Sequence, residues 1–126
     1  MTSAPINPAE GSIRFIDYVQ YVSVQGTGYW SPAYVDEHFS ELGTMLDRVR
    51  KARKVRVLVE LTQAAVQGEE TARRVSHWTA KLYREEDRVA IVLASSLLKA
   101  QMRRVAIIAD RELFLSRTAA LTWLLA

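Results

Sequence analysis

Cysteine is absent from this chain, so no disulfide framework, thiolate metal site or thiol nucleophile can form. Histidine is nearly absent as well, with only His38 and His77 available to titrate close to neutrality. His38 precedes Phe39 and His77 precedes Trp78, and the two do not share an HExxH pair. They read as boundary positions of packed helices and support no helix-borne metal site. Long apolar runs are missing too: the block at 89–94 falls far short of the about 20 residues needed to span a bilayer. The start of the sequence has no basic segment followed by an apolar one, so no secretory signal is expected. Together these absences set the expectation of a cytoplasmic protein with no transmembrane segment, no metal and no cofactor. The one glycine pair that resembles a phosphate loop, Gly26-Thr27-Gly28, lacks both the GxGxxG spacing and a Lys-Ser/Thr ending. It reads as a turn into a helix.

What is present is ordinary globular material. Hydrophobic residues at 49% and charged residues at 25% exclude wholesale disorder. A chain of 126 residues lies near the modal domain size. Residues 1–10, with Pro5 and Pro8 among small and polar neighbours, are expected to form a flexible leader, and residues 11–126 a single domain. The net charge is +3, and Arg48, Arg50, Lys51, Arg53, Lys54 and Arg56 supply six of the seventeen basic residues. Such a cluster could neutralise phosphates. No stacking or groove-reading motif accompanies it, so nucleic acid is disfavoured, and the cluster reads as cations complementing a helix C-terminus.

The order of elements follows from periodicity. "IRFIDYVQYVSVQ", residues 13–25, is rich in β-branched and aromatic residues and predicts an antiparallel hairpin with its turn near Asp17 and Tyr18. Ser31 and Pro32 then supply an N-cap and a first helical position. Val35, Phe39, Leu42, Leu46 and Val49 recur at spacings of 4, 3, 4 and 3, the stripe of an amphipathic helix. Val55, Val57, Val59 and Leu61 give a largely buried strand. Thr71, Val75, Trp78 and Leu82 give a second helix over about 69–83. "RVAIVLA" at 88–94 predicts another strand, Ser95 or Ser96 can cap a third helix through about 108, "ELFLS" predicts a short strand, and "RTAALTWLLA" predicts a last helix with Trp123 and Leu124 facing the core. Strands separated by helices imply right-handed crossovers. The expected class is α/β: a single-layer mixed, mainly parallel sheet of about five strands with four helices packed on it.

The strand ending in "VLVEL" that leads into a helix, and the ending "ELFLSRTAALTWLLA", together resemble the STAS family, the sulfate-transporter and anti-sigma-factor-antagonist domain. More narrowly they resemble its SpoIIAA-like branch, whose members tend to end in an Ala-x-x-Trp-Leu helix, matched here by Ala120, Trp123 and Leu124. The resemblance covers residues 13–126. In antagonist members of that family the third strand ends in an Asp-Leu-Ser segment and reaches an Asp-Ser-Ser-Gly motif at the next helix, where a regulated serine is phosphorylated. Laid on that pattern without gaps, Glu60, Leu61 and Thr62 fall on the first segment and Gly68, Glu69, Glu70 and Thr71 on the second. The phosphoacceptor serines are thus replaced by glutamates.

Two readings of "QGEET", residues 67–71, follow. Glu69 and Glu70 read either as fixed negative charge where the family places a phosphate, or as carboxylates that stabilise a helix N-terminus by about 0.3–1 kcal/mol. A glutamate has one charge and a phosphoserine about −1.5 to −2, so the mimicry is incomplete. The resemblance implies a non-enzymatic regulatory domain that binds a protein partner, of the anti-sigma-factor kind or another regulator, through Thr62, Gln67, Gly68, Glu69, Glu70 and Thr71. Against it stands a carrier of a small apolar or lipid-like ligand, since SpoIIAA-like domains resemble CRAL-TRIO lipid-transfer proteins in fold; Trp78, Tyr83 and Trp123 would line its pocket. An exposed sheet edge or apolar helix face also leaves a homodimer open.

Overall fold

The computed structural model describes residues 11–96 and 111–126. The expected leader at residues 1–10 lies outside them, and so does the predicted third helix beyond Ser96. Five strands form one mixed sheet in the order β1-β2-β3-β4-β5: β1 (Ser12–Asp17), β2 (Val22–Gly28), β3 (Arg56–Ala64), β4 (Arg88–Val92) and β5 (Arg111–Phe114). β1 runs antiparallel to β2, and the other three neighbouring pairs are parallel. Among the described residues there are three helices, α1 (Pro32–Ala52), α2 (Glu69–Leu82) and α3 (Arg117–Leu124).

The predicted stripe of α1 is its buried face: Val35, Phe39, Leu42, Leu46 and Val49 are all inaccessible. Ser31 caps the helix as expected, its hydroxyl accepting from the Tyr34 N–H at 3.1 Å. α1 packs beside α2, and Gly43 permits the close approach, because a Cβ there would stand 2.9 Å from Leu82 Cδ2. Both helices cover one sheet face, where Val57, Val89, Ile91 and Leu113 join them in the main core. Leu58, Ala90 and Val92, the alternate residues of β3 and β4, point the other way and are buried under Ala120 and Leu124 of α3. Full burial of a leucine such as Leu42, Leu46, Leu58 or Leu124 stabilises the fold by roughly 1.5–3 kcal/mol.

Two local expectations are corrected. β1 continues through Asp17, and the hairpin turn is displaced to residues 18–21, closed by the Tyr18 N–H donating to the Tyr21 carbonyl at 2.9 Å. Asp17 stays in the strand, paired with Val22, and its carboxylate accepts from Arg53 at 2.8 Å. The GTG segment is the end of β2 and becomes a turn only at its last residue, Gly28. Gly26 faces the Trp30 ring, which leaves no room for a Cβ, and Gly28 has φ 64, the left-handed conformation that turns the chain toward α1.

Candidate functional site

Because β2 through β5 are parallel, the chain leaves the sheet repeatedly at the same edge, and all three helices begin there. QGEET lies at this edge, where β3 passes into α2, and its five residues divide into two kinds. Gln67 and Thr71 point inward. The Gln67 amide accepts from the Trp30 N–H at 2.9 Å and donates to the carbonyls of Gly28 at 2.8 Å and Ala65 at 2.9 Å. The Thr71 side chain is buried, and its hydroxyl donates to the Trp30 carbonyl at 3.0 Å. Three of these bonds tie the start of α2 to the end of β2 and its connection into α1, and the fourth, to Ala65, holds the approach to α2 on itself. An otherwise irregular pair of loops becomes a fixed surface.

Gly68, Glu69 and Glu70 point outward and are exposed, as is Thr62 at the end of β3. Gly68 occupies the N-cap position without a side-chain cap, so the first turn of α2 presents free N–H groups beside two carboxylates. Glu69 also meets Arg73 at 3.0 Å one turn on, an exposed pair of little energetic weight. The predicted surface is therefore brought together in space, with Gln67 and Thr71 as its supports and Thr62, Gly68, Glu69 and Glu70 as its accessible members.

Three exposed apolar neighbours of this surface carry no signal in the sequence. Tyr29 and Val66 are 49% and 64% exposed, large apolar side chains left in solvent. The Ala65 N–H donates to the Gly28 carbonyl at 3.1 Å, which sets their two segments side by side. Leu115, 51% exposed, follows the end of β5 on the same edge. None of these residues breaks a periodic pattern, so only the structure separates them from core.

The three residues assigned to an apolar pocket are not brought together. Trp78 and Tyr83 belong to the α1–α2 side of the sheet, where the Trp78 ring packs 6.4 Å from Phe39 and its Nε1–H donates to Asp36 at 2.8 Å. Trp123 lies on the α3 side, 5.9 Å from Phe114 and beneath the Arg88 guanidinium at 5.2 Å. The sheet stands between them. A single cavity lined by all three is ruled out by the alternation of β3 and β4, whose neighbouring residues face opposite helices.

The remaining polar residues mainly hold elements together. His38 stacks on Tyr34 at 3.8 Å, and its Nδ1 is 2.9 Å from the Tyr34 carbonyl. His77 is exposed. In the basic cluster, Arg50 pairs with buried Asp87 at 2.5 Å and donates to the Leu82 carbonyl at 2.7 Å, while Arg53 bridges Asp17 and the Tyr18 carbonyl. Asp36 accepts from Trp78 and from Arg74, and the indole hydrogen bond, aided by Arg74, holds its carboxyl below the usual value. Arg117 donates to Glu60 at 2.7 Å, and that bond raises the guanidinium pKa further.

Comparison with known proteins bears on the fold. No protein-family model matches the chain, and no curated protein sequence does. Among solved structures it is similar to an uncharacterized protein of the DUF3478 family with a SpoIIAA-like fold from Shewanella loihica PV-4, with a TM-score of 0.73 and 18% identity over 97% of this chain and 99% of that one. It is also similar to an anti-sigma factor antagonist from Mycobacterium paratuberculosis, with a TM-score of 0.61 and 15% identity over 94% of this chain and 97% of that one. The fold is SpoIIAA-like, as the residues at 55–61 and 112–126 led us to expect.

Proposed function

We propose that this chain is a non-enzymatic, STAS-like interaction domain that binds a regulatory protein at the edge where β3 enters α2. The observation that carries the reading is the division of QGEET: Gln67 and Thr71 lock the backbone, and Gly68, Glu69 and Glu70 are held out to solvent. Exposed Tyr29 and Val66 add an apolar element beside the two carboxylates, the mixture of apolar anchor and polar rim that protein interfaces use. Since one structural relative is an anti-sigma factor antagonist, a partner of the anti-sigma-factor kind is the first to test. The surface carries no serine in the QGEET segment, and the Thr71 hydroxyl is engaged in the fold, so binding here is constitutive and not switched by a phosphate on that segment. Glu69 and Glu70 provide its charge whether or not they also stabilise the helix.

The experiment is affinity capture by the wild-type chain against two variants, Glu69→Gln/Glu70→Gln and Val66→Ser, each checked for native circular dichroism. A partner retained by the wild type and lost with either variant supports the reading. Equal capture by all three chains overturns the assignment of the surface, and no specific partner overturns the function.

A further inference from the structure

The opposite edge of the sheet, where the parallel strands begin, has a second exposed surface. There the β1–β2 hairpin ends in Tyr18 and Val19, which are 43% and 87% exposed, and Ile16 just before it is 40% exposed. Such a tip is ordinarily loose. Here it is fixed, because Arg53 at the end of α1 donates both to the Asp17 carboxylate and to the Tyr18 carbonyl at 2.8 Å, and the Tyr18 and Tyr21 rings pack 5.1 Å apart. The same bonds bring the C-terminus of α1 against the tip. Arg50 and Arg53 are consumed by these internal contacts, but Arg48, Lys51 and Lys54 are exposed around them. Arg48 and Lys51 are three apart on the helix and share one side of it.

We propose that this end of the molecule docks on an anionic lipid surface, with Val19 and Tyr18 entering the headgroup region and Arg48, Lys51 and Lys54 lying over the acidic headgroups. Three features select this occupant. The apolar element is a protruding turn and not a groove, so it suits a deformable layer better than a folded ligand. Valine neither stacks on bases nor bonds to phosphate, which leaves its exposure unexplained by nucleic acid. A second copy paired tip to tip would set Arg48, Lys51 and Lys54 against their own counterparts, and the exposed Asp47, Glu85 and Glu86 at this end flank the hairpin tip without belonging to it. A basic patch next to a small apolar and aromatic element is the pattern of interfacial binding, in which tyrosine sits at the boundary and each cation contributes roughly fivefold in affinity. No helix among the described residues is long and apolar enough to cross a membrane.

Vesicle flotation tests this directly, using the full chain with phosphatidylcholine vesicles and with the same vesicles containing about one-third phosphatidylserine. Binding to the second and not the first is expected, weakening as salt rises. Val19→Asp and, separately, Arg48→Gln/Lys51→Gln/Lys54→Gln should each reduce it at least tenfold, while the thermal transition of both variants stays native because all four residues are solvated. Absence of binding to the acidic vesicles at low salt overturns the proposal, and so does binding that ignores Val19→Asp. Retention of a short DNA duplex that depends on the cations but not on Val19, with no vesicle binding, assigns the patch to nucleic acid instead. Glu69→Gln/Glu70→Gln, at the far edge of the sheet, should leave vesicle binding unchanged, which separates this surface from the protein-binding one.

Discussion

The Thr71 hydroxyl donates to the Trp30 backbone carbonyl across 3.0 Å, joining the first turn of α2 to the connection between β2 and α1. Thr71 is buried, so valine in its place keeps the volume and removes only the donor. The Trp30 carbonyl then loses its partner in a site that water reaches poorly. Thr71→Val should cost about 1–2 kcal/mol in urea unfolding, and Thr71→Ser distinctly less. The same burial predicts that phosphate is not transferred to Thr71 in the native protein. Intact-mass analysis with a threonine kinase should find Thr71 modified only after denaturation.

A second prediction concerns the ion pair that joins the end of α1 to the turn before β4. Asp87 accepts from Arg50 at 2.5 Å and from the Arg84 N–H at 2.8 Å, and its side chain is 2% exposed. Removing it leaves a guanidinium at 13% exposure with the Leu82 carbonyl and, at 3.6 Å, the solvated Asp47. Asp87→Ala should therefore destabilise the fold by about 3–5 kcal/mol. Arg50→Met/Asp87→Leu should be less harmful than Asp87→Ala alone, since no buried charge is stranded. Chemical denaturation of the wild type, Arg50→Met, Asp87→Leu and the double variant gives the coupling directly.

How far such features can be read from sequence depends on whether the signal is local. The α1 stripe from Val35 to Val49 is legible because its five positions repeat at the helical period, and all five are buried. β3 is partly legible: Val57 and Leu58 are both apolar, so both faces must be covered, yet nothing in the strand says which helix covers which face. That gap is what misplaced Trp123 beside Trp78. The Gln67 clamp is not legible at all, because two of its three partners are backbone groups 37 and 39 residues away, and a glutamine before a glycine looks the same whether solvated or clamped. Gly68, Glu69 and Glu70 are legible as a helix start, since their placement needs only the local rule that carboxylates favour the first turn.

Acid should weaken one clasp between α1 and α2. Asp36 accepts from Trp78 Nε1–H at 2.8 Å and Arg74 at 2.6 Å, and the indole bond is the main cause of its lowered pKa relative to 3.8. For a carboxyl depressed in the folded state, the contribution to stability is complete above the unfolded value and is lost as pH falls through the folded one. Carbon-detected NMR titration should find Asp36 protonating below 3.8, and Trp78→Phe should return its midpoint toward that value. An unchanged midpoint in Trp78→Phe would show that the indole does not set it.

Gly26 makes the last prediction, and it concerns room more than flexibility. The residue lies within β2, and a Cβ built on it would meet Trp30 Cζ2 at 2.6 Å and Leu61 Cδ2 at 2.9 Å. Leu61 could rotate away. The Trp30 ring has less freedom, because its Nε1–H donates to the Thr27 carbonyl at 2.9 Å, and moving it would also disturb the backbone that Gln67 and Thr71 hold. Gly26→Ala should thus cost about 1–3 kcal/mol, where the usual gain in strand propensity from glycine to alanine would lead one to expect stabilisation. Tryptophan fluorescence reports the displacement, with an altered Trp30 environment in the variant at low denaturant. If the emission stays native and the stability rises, the Trp30 ring is not the wall that fixes this position as glycine. If the stability falls and capture of a partner falls with it, the fit of one indole ring at the end of β2 is what holds the α2 surface in shape.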